Sequence, residues 1–141
     1  MLNDDQLREI LTLMRVIAIV GLSNDPDHDS YKVAQYLISR GFKIVPINPK
    51  YANLLGEVSY SDLITAQGEL PENFKIDLVD IFRKPEFVMP HIEQALKIGA
   101  KVVWMQEGIE HLDGAKKAES AGLKAVMNKC IMHEHIRLFS Q

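Results

Sequence analysis

The stretch VIAIVGLSNDPDHDSYKVAQYLISRGFKIVPI, residues 16–47, decides the fold. Two short runs rich in Val and Ile, 16–20 and 43–47, show almost no polar alternation, which is typical of strands covered on both faces. Between them, apolar residues recur at the spacing of one helix face: Val33, Ala34, Leu37 and Ile38. The stretch therefore predicts a strand–helix–strand unit of a parallel sheet, with Ser30 as the helix N-cap and Gly41 at the helix end.

The rest of the chain repeats this alternation. Three further strand-like runs lie at 76–82, 101–105 and 124–127. The other segments predict helices at 1–15, 86–98, 110–121 and 130–138, a short helix from Ser61 and a turn near Gly56. Pro90 should delay or kink the start of the helix at 86–98. In the helix at 110–121, Leu112 is expected to face inward. We therefore expect a single α/β domain, residues 1–141, with a five-stranded, mainly parallel sheet and helices on both faces.

Composition and charge exclude several classes of protein. The 141 residues carry a formal net charge of −3, and 47% are hydrophobic and 25% charged. This balance excludes a disordered chain and argues against a protein that coats nucleic acid or a polybasic membrane protein. One cysteine cannot form an internal disulfide, and no apolar run approaches the roughly 20 residues of a membrane helix. We expect a soluble protein of the reducing cytoplasm, without a signal peptide.

The segments that follow the predicted strands form one candidate ligand rim, because ligands of open parallel sheets bind beyond the carboxyl ends of the strands. In the first segment, Gly21 allows close approach to the backbone and Ser23 offers a hydroxyl. The helix beginning near Ser30 presents N–H groups and a positive dipole end to a phosphate. The dinucleotide fingerprint G-x-G-x-x-G is not met, because Ser23 and Pro26 stand at its second and third glycines. An ordinary strand-to-helix loop is the alternative interpretation.

The second strand ends in Asn48, Pro49 and Lys50, where an NAD-binding domain places an acid. An amide and a cation suit a ribose that carries a phosphate, as in NADP or coenzyme A. A strand-ending turn with a solvated Lys50 is the alternative.

The third and fourth strand ends supply the opposite wall of the expected cleft. Arg83 directly follows the third strand and is placed to bind a pyrophosphate with two hydrogen bonds, although a surface ion pair with Glu86 is the alternative. After the fourth strand, Gln106 offers hydrogen bonds and Gly108 allows close approach of a ligand. Trp104 lies within the strand, so we expect it in the core.

Taken in order, five segments resemble the coenzyme A-binding protein family with a Rossmann-like fold, related to the CoA-binding domain of the succinyl-CoA synthetase α subunit. The segments are VIAIVGLSNDPDHDSYKVAQYL, GFKIVPINPK with LLGEVSY, IDLVDIFRKPEFV, IGAKVVWMQEGI and AVMNKCIMHEH. They run from about residue 16 to residue 136. No single segment is decisive, but the ordered set is specific.

The resemblance implies a CoA nucleotide, or acyl-CoA, lying across the carboxyl edge of the sheet. The positions that it implies for the pyrophosphate and phosphate are Gly21, Ser23, Ser30 and Lys32. The wall around adenosine and its 3′-phosphate would be formed by Asn48, Pro49 and Lys50, and the opposite wall by Phe82, Arg83, Gln106 and Gly108. The synthetase α subunit carries its catalytic phosphohistidine in a further domain without a match in this sequence. The resemblance therefore implies binding and not the ligase reaction.

The end of the chain carries the other candidate chemistry. Cys130 follows the last predicted strand at a helix N-terminus, which favours a thiolate, so a mixed disulfide with CoA is one hypothesis and an inert buried cysteine the other. His133 and His135, with Cys130 and Glu134, have the residue types of a metal site. Helical residues two positions apart point away from each other, so we predict no metal site there.

The acidic residues predict no catalytic pair. Asp77 and Asp80 lie three apart on a strand and face opposite sides, which makes them a poor general acid and base. Asp25, Asp27 and Asp29 crowd the first loop and would repel a phosphate unless they turn outward or cap the following helix.

Three hypotheses remain open from the sequence. The leading one is a stand-alone CoA-binding protein with no catalysis by itself. The second is a small NAD(P)-dependent oxidoreductase, and the third is a non-catalytic subunit that completes an acyl-CoA ligase-like complex with a protein partner.

Overall fold

The structure is a computed structural model that describes residues 2–140. Its strands, in chain order, are β1 (Val16–Val20), β2 (Lys43–Ile47), β3 (Asn53–Leu54), β4 (Glu57–Val58), β5 (Leu78–Ile81), β6 (Val102–Met105) and β7 (Lys124–Val126). Five of them form one sheet in the order β2-β1-β5-β6-β7, and every neighbouring pair is parallel. The predicted five-stranded sheet is therefore confirmed, and it is wholly parallel.

Helices cover both faces of this sheet, as predicted. They are α1 (Asp4–Leu13), α2 (Asp29–Ser39), α3 (Leu63–Glu69), α4 (Val88–Ile98), α5 (Leu112–Ser120) and α6 (Ile131–Phe139). The apolar residues of α1, α2 and α6 form one core against the sheet, and those of α3, α4 and α5 form a second core against its other face. Alternate residues of each strand enter alternate cores, which explains the unbroken apolar runs in the sequence.

The order of the strands determines where a ligand can bind. From β1 the chain adds β2 on one side and then returns to place β5 on the other side. The sheet therefore has a topological switch point between the carboxyl ends of β1 and β5, where the loops of two neighbouring strands part and leave a crevice.

The prediction that Ser30 caps α2 is wrong. The N-cap is His28, whose Nδ1 accepts the backbone N–H of Ser30 at 3.1 Å. Ser30 itself lies in the first turn of α2 and is fully buried. An imidazole nitrogen supplies the acceptor that a serine hydroxyl was expected to supply, so the helix starts before Ser30.

The other helix boundaries differ by a few residues from the predictions. The helix predicted at 1–15 begins at Asp4, after the N-cap Asn3, and residue 1 lies outside the described residues, as does residue 141. The helix predicted at 130–138 has Cys130 as its N-cap and extends to Phe139. Pro90 lies in the first turn of α4, which follows a short 3-10 turn, so the predicted delay of the regular helix is confirmed.

Two local features differ from the sequence interpretation. Leu112 is the first residue of α5 and is 61% exposed, so the prediction that it faces inward is wrong, although Ala115 and Ala118 are buried as expected. The turn near Gly56 is confirmed, but it joins the unpredicted antiparallel pair β3 and β4. Each of these strands is two residues long, too short to produce a detectable alternation.

Within residues 2–140, no helix is both long enough and apolar enough to cross a membrane.

Candidate functional site

A cleft of about 390 Å³ opens at the carboxyl edge of the sheet, beside the switch point. It is bounded by the start of α2, by the segment that follows β5, by the segment that follows β6 and by the start of α6. Its volume is that of a small-molecule site. Of the predicted site residues, the cleft brings together Lys32, Phe82, Arg83, Gln106, Gly108 and Cys130.

The lining of the cleft is cationic although the whole chain is acidic. The residues that line the cleft include three cations, Lys32, Arg83 and Lys84, and two carboxylates, Asp29 and Glu107. The formal net charge of the chain is −3. The cations are therefore concentrated where the switch point predicts a ligand, and an anion is the ligand that this distribution favours.

Arg83 is held at the mouth of the cleft by stacking and not by an ion pair. Its guanidinium carbon lies 4.9 Å from the centre of the Phe87 ring. Among the described residues it forms no salt bridge, with Glu86 or any other carboxylate. Its hydrogen-bond donors therefore remain available for a ligand.

Gly21 serves the packing of the strand ends, and its expected role as a point of ligand approach stays a prediction. A Cβ atom at this position would lie 2.4 Å from the carbonyl oxygen of Phe82 and 3.2 Å from Cδ of Arg83. The space beside Gly21 is thus filled by the segment that follows β5. Its φ of +85° also favours glycine.

The hydroxyl groups of the first loop hold the loop itself together. Ser23 Oγ accepts the N–H of Asp25 at 3.0 Å, and the buried Ser30 Oγ accepts the N–H of Ser23 at 2.9 Å. Neither residue lines the cleft, and their implied phosphate contacts stay predictions. Asp25 is exposed and accepts the N–H of Asp27, whereas Asp29 does line the cleft.

Asn48, Pro49 and Lys50 lie outside the cleft. Asn48 Nδ2 donates to the carbonyl oxygen of Leu22 at 3.0 Å, and Asn48 Oδ1 accepts the N–H of Lys50 at 2.9 Å. Nδ2 therefore joins the end of β2 to the first loop, whereas Oδ1 holds the turn that follows β2. Lys50 and Pro49 are exposed. Their predicted place beside adenosine stays a prediction.

Gln106 and Gly108 lie in the wall that follows β6. Gln106 is 4% exposed, and its Oε1 accepts the N–H of Ile131 at the start of α6, at 3.2 Å. Gly108 has a φ of +85°, and a Cβ here would meet nothing within 4 Å. Glycine is therefore required at 108 by the backbone conformation, and the space beside it is open to a ligand. Trp104 is fully buried, as predicted.

Cys130 and His133 reach the cleft from α6, whereas His135 does not. Cys130 is 9% exposed, and as N-cap it makes no side-chain hydrogen bond to the helix. His135 packs on the other side, where its Nδ1 lies 2.7 Å from the Tyr36 hydroxyl and its ring stacks on Phe139. The two histidines diverge as expected. No group of three metal-ligating side chains occurs within the described part of the chain.

Two titratable groups with shifted pKa values, one buried and one half-buried, lie near the carboxyl ends of the strands. Asp80, in the central strand β5, is fully buried with no hydrogen-bond partner for either carboxylate oxygen, and desolvation raises its pKa well above the ordinary value. Burial, with a smaller contribution from the charge of Arg83, lowers the pKa of His91 on α4 to about 4. Asp77 instead accepts the N–H groups of Arg15 and Val16, both at 3.0 Å, at the opposite edge of the sheet. The carboxylates of Asp77 and Asp80 thus have separate environments.

Sequence reasoning missed several residues of the cleft. His28, in the first loop, is the N-cap of α2 and lines the cleft. Lys84 and His133 line the cleft as well. Lys84 could have been found because it follows Arg83 directly. His133 lies one helical turn after Cys130, and that spacing places the two residues on one face.

A second groove, of about 270 Å³, lies between α1, α5 and β7. Its lining is mainly apolar and includes Leu7, Leu112 and Val126. Its charged lining residues are Lys116, Glu119 and Lys129.

Proteins of known structure or sequence share this fold and much of this sequence. A hypothetical protein from Pyrococcus horikoshii OT3 is 43% identical, with a TM-score of 0.91 over 99% of this chain and 94% of that one. The uncharacterized protein YneT of Bacillus subtilis is 32% identical over 130 residues, which are 92% of each chain.

A larger protein contains a similar unit. An acetyl-coenzyme A synthetase from Ca. Korarchaeum cryptofilum is 28% identical, with a TM-score of 0.68 over 83% of this chain but only 26% of that chain. The family model of the CoA binding domain matches residues 15–136. The resemblance seen in the sequence is confirmed, and the chain belongs to the CoA-binding domain family.

Proposed function

We propose that this chain is a stand-alone coenzyme A-binding protein of the cytoplasm, which takes CoA or acyl-CoA and has no catalysis by itself. The observation that carries the proposal is the cationic cleft at the switch point of a sheet that belongs to the CoA-binding domain family. A cleft with three cations and an open glycine suits a polyanionic nucleotide.

The residues in the cleft suggest how the ligand is held. Arg83, which is free of ion pairs among the described residues, would bind the pyrophosphate together with Lys32. Gly108 leaves room for the ligand beside the backbone, and Cys130 would stand at the thiol end. Lys50 would meet the 3′-phosphate from outside the cleft.

Coenzyme A supplies a reactive thiol when it is bound; the protein supplies the binding and the orientation. The buried Gln106 fixes one wall of the cleft, because its Oε1 holds the first amide of α6. This bond keeps Cys130 and the segment that follows β6 at a fixed separation. The cleft is therefore largely formed before a ligand arrives.

Isothermal titration calorimetry with CoA, acetyl-CoA, NAD and NADPH tests the proposal. We expect saturable binding of CoA or acetyl-CoA and none of NAD, because the chain offers cations for phosphates and no acid for free ribose hydroxyls after β2. Binding of NADPH without binding of CoA would overturn the proposal in favour of an oxidoreductase.

Arg83→Ala should weaken CoA binding by about 1.5–3 kcal/mol, since a charged hydrogen bond would be lost. The matched control is Arg8→Ala, which removes an arginine that pairs with Asp5 on the surface of α1. Arg8→Ala should leave the affinity unchanged. Equal affinity of the Arg83→Ala variant and the parent, again measured by calorimetry, would remove Arg83 from the site.

A further inference from the structure

The ring of His28 is held from one side by the first turn of α2. Its Nδ1 accepts the backbone N–H of Ser30 at 3.1 Å and lies 2.9 Å from Ser30 Oγ. Ser30 is fully buried, and its Oγ accepts the N–H of Ser23. The imidazole is therefore oriented by a buried residue, Ser30, which is itself hydrogen-bonded to the first loop.

This hydrogen bond fixes the tautomer of His28. A backbone N–H can only donate, so Nδ1 must present a lone pair to Ser30. The neutral ring then carries its proton on Nε2. Protonation of both nitrogens would remove the acceptor that caps α2, so the neutral form is the one that matches the fold.

The remaining nitrogen of His28 is available to a ligand. Nε2 has no hydrogen-bond partner within residues 2–140, and His28 lines the cleft together with Lys32 and Arg83. We propose that His28 binds the ligand as a neutral donor, giving its Nε2–H to an oxygen of the CoA pyrophosphate. This inference rests on the proposed function and adds a binding residue to it.

The pyrophosphate is favoured over the 3′-phosphate as the acceptor. His28 shares the cleft with the two cations placed to bind the pyrophosphate, Lys32 and Arg83, whereas Lys50 lies outside the cleft. An uncharged donor also fits beside Lys32, Arg83 and Lys84, because it adds a hydrogen bond without adding a further repelling charge.

His28→Ser tests the inference, since serine is itself a strong N-cap and preserves the acceptor for α2 while removing the Nε2–H group. The chain offers a matched control, because His111 caps α5 in the same way, its Nδ1 accepting the N–H of Gly114 at 2.9 Å. His111 does not line the cleft. His111→Ser therefore removes an equivalent imidazole cap away from the ligand.

Calorimetric titration of both variants with CoA and with dephospho-CoA gives the readout. We expect His28→Ser to weaken both ligands by about tenfold, and His111→Ser to weaken neither. Unchanged affinity of His28→Ser, or an equal loss in His111→Ser, overturns the inference. A loss seen with CoA but not with dephospho-CoA also overturns it, because the 3′-phosphate would then be the acceptor.

The tautomer gives a second measurement on the parent protein. In ¹⁵N-resolved spectra of the imidazole side chains at neutral pH, we expect His28 to carry its proton on Nε2, and that proton to shift when CoA is added. A ring protonated on Nδ1 contradicts the inference. Failure of the parent to bind CoA overturns the proposed function itself, and binding with an unaffected His28 overturns only this inference.

Discussion

Asp80 is a buried carboxyl group in the middle of the sheet. In the register of the strands it lies between Ile19 of β1 and Trp104 of β6, and it is fully buried. With no partner for either oxygen, its charged form is strongly disfavoured, and desolvation raises its pKa. The folded protein therefore keeps Asp80 protonated at pH values where the unfolded chain has released the proton.

The unfolding free energy of Asp80→Asn should rise relative to that of the parent as the pH increases. A raised folded pKa means that the parent loses stability from about pH 4 upward, by at most about 1.4 kcal/mol per pH unit until the folded pKa is reached. Asparagine has no such dependence. Chemical denaturation of both proteins between pH 4 and pH 8 measures the difference, and a difference that does not change with pH contradicts the assignment.

Cys130 is the one cysteine of the chain, which makes its chemistry simple to follow. Incubated with CoA disulfide, the Cys130 thiolate should attack one sulfur of the disulfide, forming a Cys130–CoA disulfide and releasing one CoA thiolate, which takes up a proton. Intact-mass spectrometry should show one CoA adduct that a dithiol reductant removes. The Cys130→Ser variant is the control, and an unmodified parent that still binds CoA would mean that the thiol end of the ligand lies elsewhere.

At the residue scale, the sequence predicted which residues line the cleft better than it predicted the hydrogen bonds around the cleft. Arg83, Gln106 and Gly108 were predictable because each follows a strand, and strand ends meet at one edge. The hydrogen bonds of Asn48 were not predictable from the sequence. Its Nδ2 donates to a carbonyl oxygen 26 residues earlier in the chain, and its Oδ1 accepts the N–H two residues later. The role of His28 was not predictable either, because the sequence pattern indicated Ser30 as the N-cap of α2.

At the scale of elements, the β1–α2 connection depends on close packing of two strand ends. Gly21→Ala should destabilise the protein by about 2 kcal/mol or more, because the new Cβ would meet the Phe82 carbonyl oxygen and the residue has a φ of +85°. Gly56→Ala is the matched control, since Gly56 has a φ of +77° and no neighbour within 4 Å of a Cβ.

Urea denaturation of the two glycine variants separates the close contact from the backbone strain. We expect the loss of unfolding free energy to be clearly larger for Gly21→Ala than for Gly56→Ala. Equal losses would mean that the left-handed backbone conformation alone accounts for glycine at position 21.

Element types followed from periodicity, whereas their ends did not. The runs that became β1 and β2 are apolar except for Lys43, and their predicted bounds matched the structure residue for residue. The ends of α2 and α5 depend on the histidine caps His28 and His111, a residue type that is not among the preferred N-caps. The pair β3 and β4 was missed because it is too short for a pattern.

At the scale of the whole molecule, the charge distribution is more informative than the net charge. The value of −3 argued against a polyanion-coating protein, yet Lys32, Arg83 and Lys84 gather at one cleft. A local site for one polyanionic molecule and an acidic surface elsewhere are compatible, because the field at a cleft is set by nearby groups. The same topology that buries both faces of the sheet leaves its carboxyl edge open.

A crystal structure of the protein with CoA tests the central claim most directly. We predict nucleotide density over the carboxyl ends of β1, β5 and β6, with the pyrophosphate bound to Arg83 and its thiol end near Cys130. Density for CoA in the groove beside Leu112 and Val126, with the switch-point cleft empty, would contradict the claim.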